Sequence, residues 1–520
     1  MTEPADTPFA RPEAVTRLKK RRSADIRFRF YGLAAVSFAL CALGLLIGAV
    51  GVRAYSAMSQ HVLVMDLTMD QGEIIPDETA SPDDVRRNIE GFYRLVREEL
   101  ITRFPEAQDT LARRKELDGL VARLAVQPLA RKVSETPSLI GKTIPVRIPV
   151  SDELDLFLKG EVPKSVRVKF GRPLTLQAGD ASRARLEDAD AARRIQASLT
   201  ALEDPQLSVL LSSGKTVFQV TGLTDTGAEL TLLTGGPSFA ADAPATATII
   251  STPAENRTLS DQQIAWGIAL KDMRAVRSVP RTGLLTQTDS TFPELAGSLA
   301  AIVGSLLTMI VTAIVAVPIG IFAAIYLEEF APRNRLTRLI EVNINNLAAV
   351  PSIVFGLLGA ALLLGTFNLP RSAPLVGGIV LGLLILPVVI IASRAALRSV
   401  PQSVRDGALA VGASRMQAVF HHVLPLAAPG MLTGAILGMA RALGETAPLL
   451  LIGMVAFVAE VPSSVTDEST ALPVLIYSWA TNAERAWEPM TAAAIVILLS
   501  LLVIMNVVVV ILRRRFERRW

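Results

Sequence analysis

The sequence predicts a mainly α protein, a six-span transmembrane helical bundle interrupted after its first span by a large polar α+β insert. Three observations carry this. Of the 520 residues 51% are apolar, against about 45–50% for an ordinary soluble domain. Those apolar residues are gathered into long runs with the charges between them. The basic residues then fall in alternate connections, the pattern that sets orientation in a membrane.

A helix crossing a hydrocarbon core needs about 20 apolar residues. Six runs qualify: Tyr31–Val52, Leu299–Leu327, Asn345–Gly365, Leu375–Ser393, Ala427–Val458 and Thr491–Leu512. Lipid offers no partner to a free backbone N–H or C=O, so each run is expected as helix. The first is too long for the apolar core of a secretory leader and lacks a small-residue cleavage site after it, so it reads as a retained anchor, residues 31–52. Pro318 and Pro351 are expected to kink their spans.

The tail 1–30 carries Lys19, Lys20, Arg21, Arg22, Arg27 and Arg29. The second–third connection holds Arg333, Arg335 and Arg338, and the fourth–fifth holds Arg394, Arg398, Arg405 and Arg415. The chain ends in Arg513, Arg514, Arg515, Arg518 and Arg519. With six spans all four segments share one side, so both termini are expected in the cytoplasm. The fifth–sixth connection is acidic instead, with Glu460, Asp467, Glu468, Glu484 and Glu488.

Residues 53–293 form a hydrophilic insert of domain size. A segment this long is translocated largely regardless of its charge. Ser81-Pro82-Asp83 is expected to start a helix running to about Arg103. Asp109–Leu124 and Ala189–Leu202 have helical spacing. Gln206–Leu211, Thr216–Thr221, Glu229–Leu233 and Thr246–Ser251 read as short strands, with turns at Gly214 and Gly227. Gly141-Lys142-Thr143 and Gly214-Lys215-Thr216 echo a phosphate-binding loop, but Thr136 and Val209 stand where its first glycine belongs, so both read as turns.

Composition excludes several functions. A net charge of +4 without a basic face speaks against nucleic acid. The single cysteine, Cys41, rules out an intrachain disulfide. His421 and His422 would point about 100° apart on a helix, and no further ligand accompanies them. No nucleophile–base pair or metal cluster is evident, so the chain is expected to be no enzyme and to bind no metal or cofactor.

The fourth–fifth connection reads Arg405-Asp406-Gly407-Ala408-Leu409-Ala410-Val411-Gly412-Ala413-Ser414 and reaches Leu424-Pro425. An acid, small residues, a glycine six positions on and a later Leu-Pro resemble the EAA loop of ABC-importer permeases. Such a loop is a short surface helix, a flexible glycine and a second helix entering a span, a knob able to press into a groove of a separate ATPase. Asp406-Gly407 departs from the Glu-Ala of the family name; Asp keeps the charge, and Gly weakens the helix by roughly 1 kcal/mol. Gly304-Ser305-Leu306-Leu307-Thr308, Pro318-Ile319-Gly320 and Ala323–Phe330, Asn345–Gly356, and Arg441-Ala442-Leu443-Gly444-Glu445-Thr446-Ala447-Pro448 further resemble the second, third and fifth spans of PstA-type phosphate permeases. The first span, the insert and the double Glu before Ala331-Pro332 resemble a subgroup with an extended amino-terminal region.

The resemblance implies a permease core of the type I, MetI-like kind over 294–520, with a cytoplasmic coupling loop at 394–425. It implies one subunit of an ATP-driven phosphate importer in a bacterial inner membrane. Its partners would be a PstC-type second permease, a PstB-type ATPase dimer using ATP and Mg, and a PstS-type periplasmic phosphate-binding protein. Arg405, Asp406, Ala408, Gly412, Ala413, Leu424 and Pro425 would couple to the ATPase. Another oxyanion (sulfate, molybdate or phosphonate) remains open at this point, as does a membrane-anchored signalling scaffold.

Within the spans, Arg441 is expected roughly 20 Å into its helix, at a depth where a charge costs about 2.5–3.5 kcal/mol or more. Glu445, four residues on, shares its face. Either the two simply neutralise each other, or Arg441 faces the substrate path and Glu445 tempers its grip on an oxyanion. The resemblance places both among functional positions. Arg394 either anchors its span on the positive side or receives the anion at the inner mouth. Ser305, Thr308 and Thr312 share one side of the second span, lining a polar route or bonding helix to helix.

Overall fold

The computed structural model describes residues 12–75, 81–178, 182–202, 207–239, 243–454 and 457–516. Gln206, Arg518 and Arg519 lie outside the described residues.

The first helix, α1 (Pro12–Ala57), has 46 residues and so spans about 69 Å at 1.5 Å per residue. That is more than twice a hydrocarbon core of about 30 Å. The basic stretch before the apolar run is therefore part of the same helix. Its far end is packed, with Ala54 and Ala57 buried beside Trp487 and Met490.

The chain passes directly from α1 into strand β1 (Ser59–Thr68), an element that local spacing does not reveal. Its partners are distant: β2 (Thr143–Pro149) and β10 (Val276–Pro280), in the antiparallel order β10-β1-β2. Val62 faces Pro149 on one side and Arg277 on the other. The last strand of the insert thus returns beside its first, so entry and exit of the insert lie side by side. A second, seven-stranded sheet has the order β3-β9-β6-β7-β8-β5-β4. Its strands are β3 (Ser165–Lys169), β4 (Leu176–Ala178), β5 (Arg183–Leu186), β6 (Val209–Ser213), β7 (Thr216–Thr224), β8 (Gly227–Thr234) and β9 (Thr246–Ile250).

The expected hairpin turn at Gly214 is present, with φ +60°. Gly227 plays a different part. It opens β8, where a Cβ would lie 2.0 Å from the carbonyl oxygen of Leu186 on the neighbouring strand, so close approach rather than turning demands glycine. Gly141, at φ +79°, likewise precedes β2 as a plain turn.

Ser81 begins a helix with a capping box to Asp84, as expected, but that helix stops at Arg87. Asn88 intervenes: its amide donates to Glu73 and Ile74 carbonyls and accepts from Gly91, so it caps a new helix, α2 (Ile89–Arg103). The helix expected over Asp109–Leu124 is limited to Leu111–Asp118, ending at Gly119. Helices α3 (Asp152–Lys159), α4 (Ala189–Ala201) and α5 (Asp261–Asp272) complete the insert. Trp266 of α5 is fully buried, its ring 5.9 Å from that of Phe104.

The second half begins with α6 (Leu299–Ile325), prolonged by a wider turn over Tyr326–Phe330. Next come α7 (Arg335–Ala348) and α8 (Ser352–Gly359), the latter prolonged over Ala360–Thr366. Then follow α9 (Pro374–Arg398), the short α10 (Gln402–Ala410), α11 (Leu424–Gly444) and finally α12 (Trp487–Phe516). Among the described residues five helices are long and apolar enough to cross a membrane, or six if one bent pair counts as a span. That pair corrects the third expected run. Asn345–Gly365 is not one helix: the chain turns by 100° between Arg335–Ala348 and Ser352–Thr366. Pro351 precedes the first residue of α8, so it separates two helices instead of kinking one.

Helix α9 is the centre of the bundle, flanked by α6 and α11. Small residues let the backbones meet. A Cβ on Gly378 would lie 2.4 Å from Val311, on Gly320 2.7 Å from Val389, and on Gly434 2.2 Å from Ala392. Gly444 has nothing within 4 Å and serves no such contact.

Candidate functional site

The helix leading to Arg441 is continuous from Arg415 to Gly444. Arg441 therefore occupies its last turn, not the middle of a span that runs on to Val458. The cause is visible in the chain. Pro448 has no N–H for the carbonyl of Gly444, and its ring would clash with that carbonyl in a continued helix. The backbone breaks at Glu445 (φ −77°, ψ 120°) and resumes as a short helix over Ala447–Leu451. A cation in the final turn also faces the negative end of the helix dipole.

Ala442 and Leu443 turn inward, while the Arg441 side chain is 48% exposed. Its Nε lies 3.5 Å from Oε1 of Glu445, a side chain 20% exposed. Among the described residues Glu445 is the only polar partner of the Arg441 side chain, so the outer nitrogens of the fork are open. Leu426 and Leu437 are exposed on the same stripe of α11.

The other expected pathway residues are placed elsewhere. Arg394 is only 13% exposed, held by Glu341 at 2.6 Å and Glu328 at 3.3 Å. Its charge is already matched twice. The Ser305 hydroxyl is buried and accepts from the backbone N–H of Leu472 at 2.8 Å. Thr308 is buried, and Thr312 donates to the carbonyls of Thr308 and Gly378, at 2.8 and 3.2 Å. The Ser305 and Thr312 hydroxyls thus bond within the bundle, while the buried Thr308 hydroxyl has no hydrogen-bond partner among the described residues. Of the expected set, the structure brings together only Arg441 and Glu445.

The connection between α9 and α11 has the expected helix–glycine–helix form. Gly412, at φ +88°, ends α10, and the Ala413 N–H reaches back to the Ala408 carbonyl. Ser414 caps the next turn through a capping box with Gln417. Ala408, Ala418 and Val423 are buried, while Leu409, Val411, Met416 and Phe420 are exposed. Asp406 is exposed and accepts from Gln402. Leu424 and Pro425 open α11. His421 and His422 are exposed, and no group of three or more metal-ligating side chains occurs among the described residues.

Arg405 departs from this outward pattern. It turns into the protein, where Glu329 lies 2.6 Å from Nη2. Glu328, Glu329 and Glu341 are thus site residues that the reading of the spans missed. Two adjacent acids at the end of a span, opposite an arginine-rich connection, were the available signal.

A separate charged cluster lines a cavity where the insert meets the start of α12. Gln60, His61, Asp152, Asp155, Lys159, Arg281, Glu294 and Met490 border it. Burial works against the charge of Asp155, but hydrogen bonds from His61 and the Lys159 ammonium outweigh it and hold this carboxyl below its ordinary range. Burial pushes Glu294 up to about 7, and raises Asp152 and Glu153 as well. Arg281 donates to the carbonyls of Pro293 and Ala296.

Residues 316–518 match the family of the binding-protein-dependent transport system inner membrane component. Residues 15–167 match a domain of unknown function, DUF3333. The phosphate transport system permease protein PstA 1 of Mycobacterium tuberculosis (strain CDC 1551 / Oshkosh) is 35% identical over 227 residues, 43% of this chain and 73% of that protein. PstA of Haemophilus influenzae is 31% identical over 211 residues, 40% of this chain and 73% of that protein. PstC 1 of Mycobacterium tuberculosis (strain ATCC 25618 / H37Rv) is 30% identical over 212 residues, 36% of this chain and 62% of that protein. The inward-facing MetNI methionine ABC transporter aligns with 43% of this chain and 95% of that chain, at 17% identity and a TM-score of 0.32, too slight a likeness to add weight. The PstA matches, together with the apolar helices, show that this chain belongs to the PstA family of permeases, multi-pass inner-membrane components of binding-protein-dependent ABC transport systems.

Proposed function

We propose that this permease forms half of the translocation path of an ATP-driven importer of inorganic phosphate, and that Arg441 meets the anion on that path. The observation that carries this reading is the open fork of Arg441 at the broken end of α11. A guanidinium matches phosphate oxygens two at a time. Arg394, by contrast, is already neutralised by two carboxylates. Glu445 restrains Arg441 and offers a competing charge, so that capture is followed by release.

A related second permease would cover the open stripe of α11 and complete the path. The exposed apolar side chains of Leu409, Val411 and Met416 would seat in a separate ATPase dimer, which uses ATP and Mg while this chain binds no cofactor. An external phosphate-binding protein would deliver the anion. Both termini and the coupling loop would then face the cytoplasm, with the insert outside, as the arginine-rich connections favour.

Uptake of radiolabelled phosphate into vesicles holding the complete complex, with sulfate as competitor, tests the reading. It requires uptake that sulfate does not suppress and that Arg441→Ala abolishes. Indifference to phosphate would end it.

A further inference from the structure

Three carboxylates and three arginines tie together four helices: the ends of α6 and α9, the middle of α7, and α10. Arg394 joins α9 to Glu341 of α7 and to Glu328 beyond α6. Arg398 takes the other oxygen of Glu328 at 2.8 Å. Arg405, on α10, grips Glu329: Nε is 3.2 Å from both carboxylate oxygens and Nη2 is 2.6 Å from Oε1. Its Nη1 donates to the Val400 carbonyl at 2.8 Å, and Nη2 also donates to the Leu397 carbonyl at 3.0 Å. Leu397 lies in the last turn of α9 and Val400 two residues past its end, where carbonyls run short of intrahelical donors; the Leu397 carbonyl also accepts the Val400 N–H at 3.3 Å. One side chain therefore caps α9, belongs to α10 and holds the end of α6.

The pair differs from its neighbours in enclosure. Glu329 is 8% and Arg405 15% exposed, whereas Arg398 is 61% exposed. Breaking a buried pair leaves an uncompensated charge; an exposed one contributes little. The surrounding contact between these elements is apolar, through Ile325, Leu327, Leu397 and Val400. Apolar contact is non-directional and tolerates sliding, while a forked ion pair fixes one geometry. The coupling helix is joined covalently to α9, but its register against α6, 76 positions away in sequence, is set at Glu329.

We propose that Glu329 and Arg405 are positioning residues that make α6 move as one body with the coupling helix α10, so that ATPase motion reaches the translocation path through this clasp. The proposal rests on the importer reading above, and adds a residue pair that touches neither anion nor nucleotide.

The test uses the complete reconstituted complex and reads phosphate taken up per ATP hydrolysed. Altered coupling of this kind is on the order of 2- to 30-fold. Glu329→Gln and Arg405→Lys, each in complexes of normal subunit composition, are expected to lower that ratio by roughly tenfold. The double variant should be no worse than either single, and Arg398→Gln should leave the ratio unaltered. A merely structural role would lower uptake and hydrolysis together and preserve the ratio; that result, or an unaltered uptake, overturns the proposal. A second measurement needs no change in the clasp. Spin labels at Phe322→Cys and Gln402→Cys, in a Cys41→Ser background, should keep one separation with and without ATP, and a nucleotide-dependent change overturns the clasp. If the wild-type complex carries a different anion, the phosphate reading fails while the ratio, measured with that anion, still judges the clasp.

Discussion

Arg441 and Glu445 lie one helical turn apart at the point where α11 breaks, and the carboxylate touches only the Nε edge of the guanidinium, at 3.5 Å. The two remaining nitrogens keep the geometry that an oxyanion needs. Arg441→Ala should therefore abolish phosphate uptake while barely altering thermal stability, because the side chain is half exposed. Arg441→Lys keeps the charge and loses the fork. Charge-assisted hydrogen bonds are worth about 1.5–3 kcal/mol, so Lys should weaken transport by roughly tenfold or more. Equal uptake by the Lys variant and wild type would show that charge alone suffices.

Glu445 makes the complementary case. If it tempers the grip of Arg441, Glu445→Gln should strengthen anion binding and slow its release. The expected signature is a lower half-saturating phosphate concentration together with a lower maximal uptake rate. A rise in half-saturation instead would mean that Glu445 only orients Arg441.

This pair was legible in the chain because its i, i+4 spacing is local; its depth was not, because apolarity continues past Gly444 and hides the break. Pro448 carried that information, since it removes the N–H that the Gly444 carbonyl would use, although Pro318, Pro387 and Pro429 stand inside unbroken helices. The same holds for the 100° bend ahead of Ser352, where apolar residues continue through Pro351. Strand β1 was illegible for another reason. Its pairing with Pro149 and Arg277 joins residues far apart in sequence, and no local spacing reports such partners. Arg394 read as a positive-side anchor or a receiver of the anion, and Arg405 as a contact for the ATPase, since nothing in their own segments shows the carboxylates that close over them from the end of α6.

Helix packing gives a test independent of transport. Gly378 and Gly434 occupy points where α9 meets α6 and α11, and an added Cβ would lie 2.4 and 2.2 Å from a neighbouring side chain. Overpacking of this kind typically costs about 1–3 kcal/mol. Gly378→Val and Gly434→Val should lower the melting temperature of the purified complex and the yield of assembled protein. Gly444→Ala, with open space around it, should leave both unchanged. Equal effects at all three positions would contradict the close approach of these helices.

The junction between insert and bundle should respond to pH. Glu294 is 7% exposed and its Oε2 has no hydrogen-bond partner among the described residues. Burial, chiefly, pushes its pKa from 4.5 to about 7, with Asp152 and Glu153 adding like charge and Arg281 opposing. The unfolded chain loses this proton near 4.5 and the folded one near 7. Between those values the folded state binds more protons, so stability falls as pH rises. The contribution is fully present below about 4.5 and gone above about 7. Asp152 and Glu153, also raised by burial, act in the same sense, whereas Asp155, held low by His61 and Lys159, loses stability only in more acid solution. Glu294→Gln removes the carboxyl whose pKa is pushed up to about 7. The purified wild-type complex should melt at a higher temperature at pH 5 than at pH 8, and Glu294→Gln should shrink that difference by raising the melting point at pH 8. A pH dependence untouched by the substitution would mean that Glu294 ionises as freely in the folded protein as in the unfolded chain.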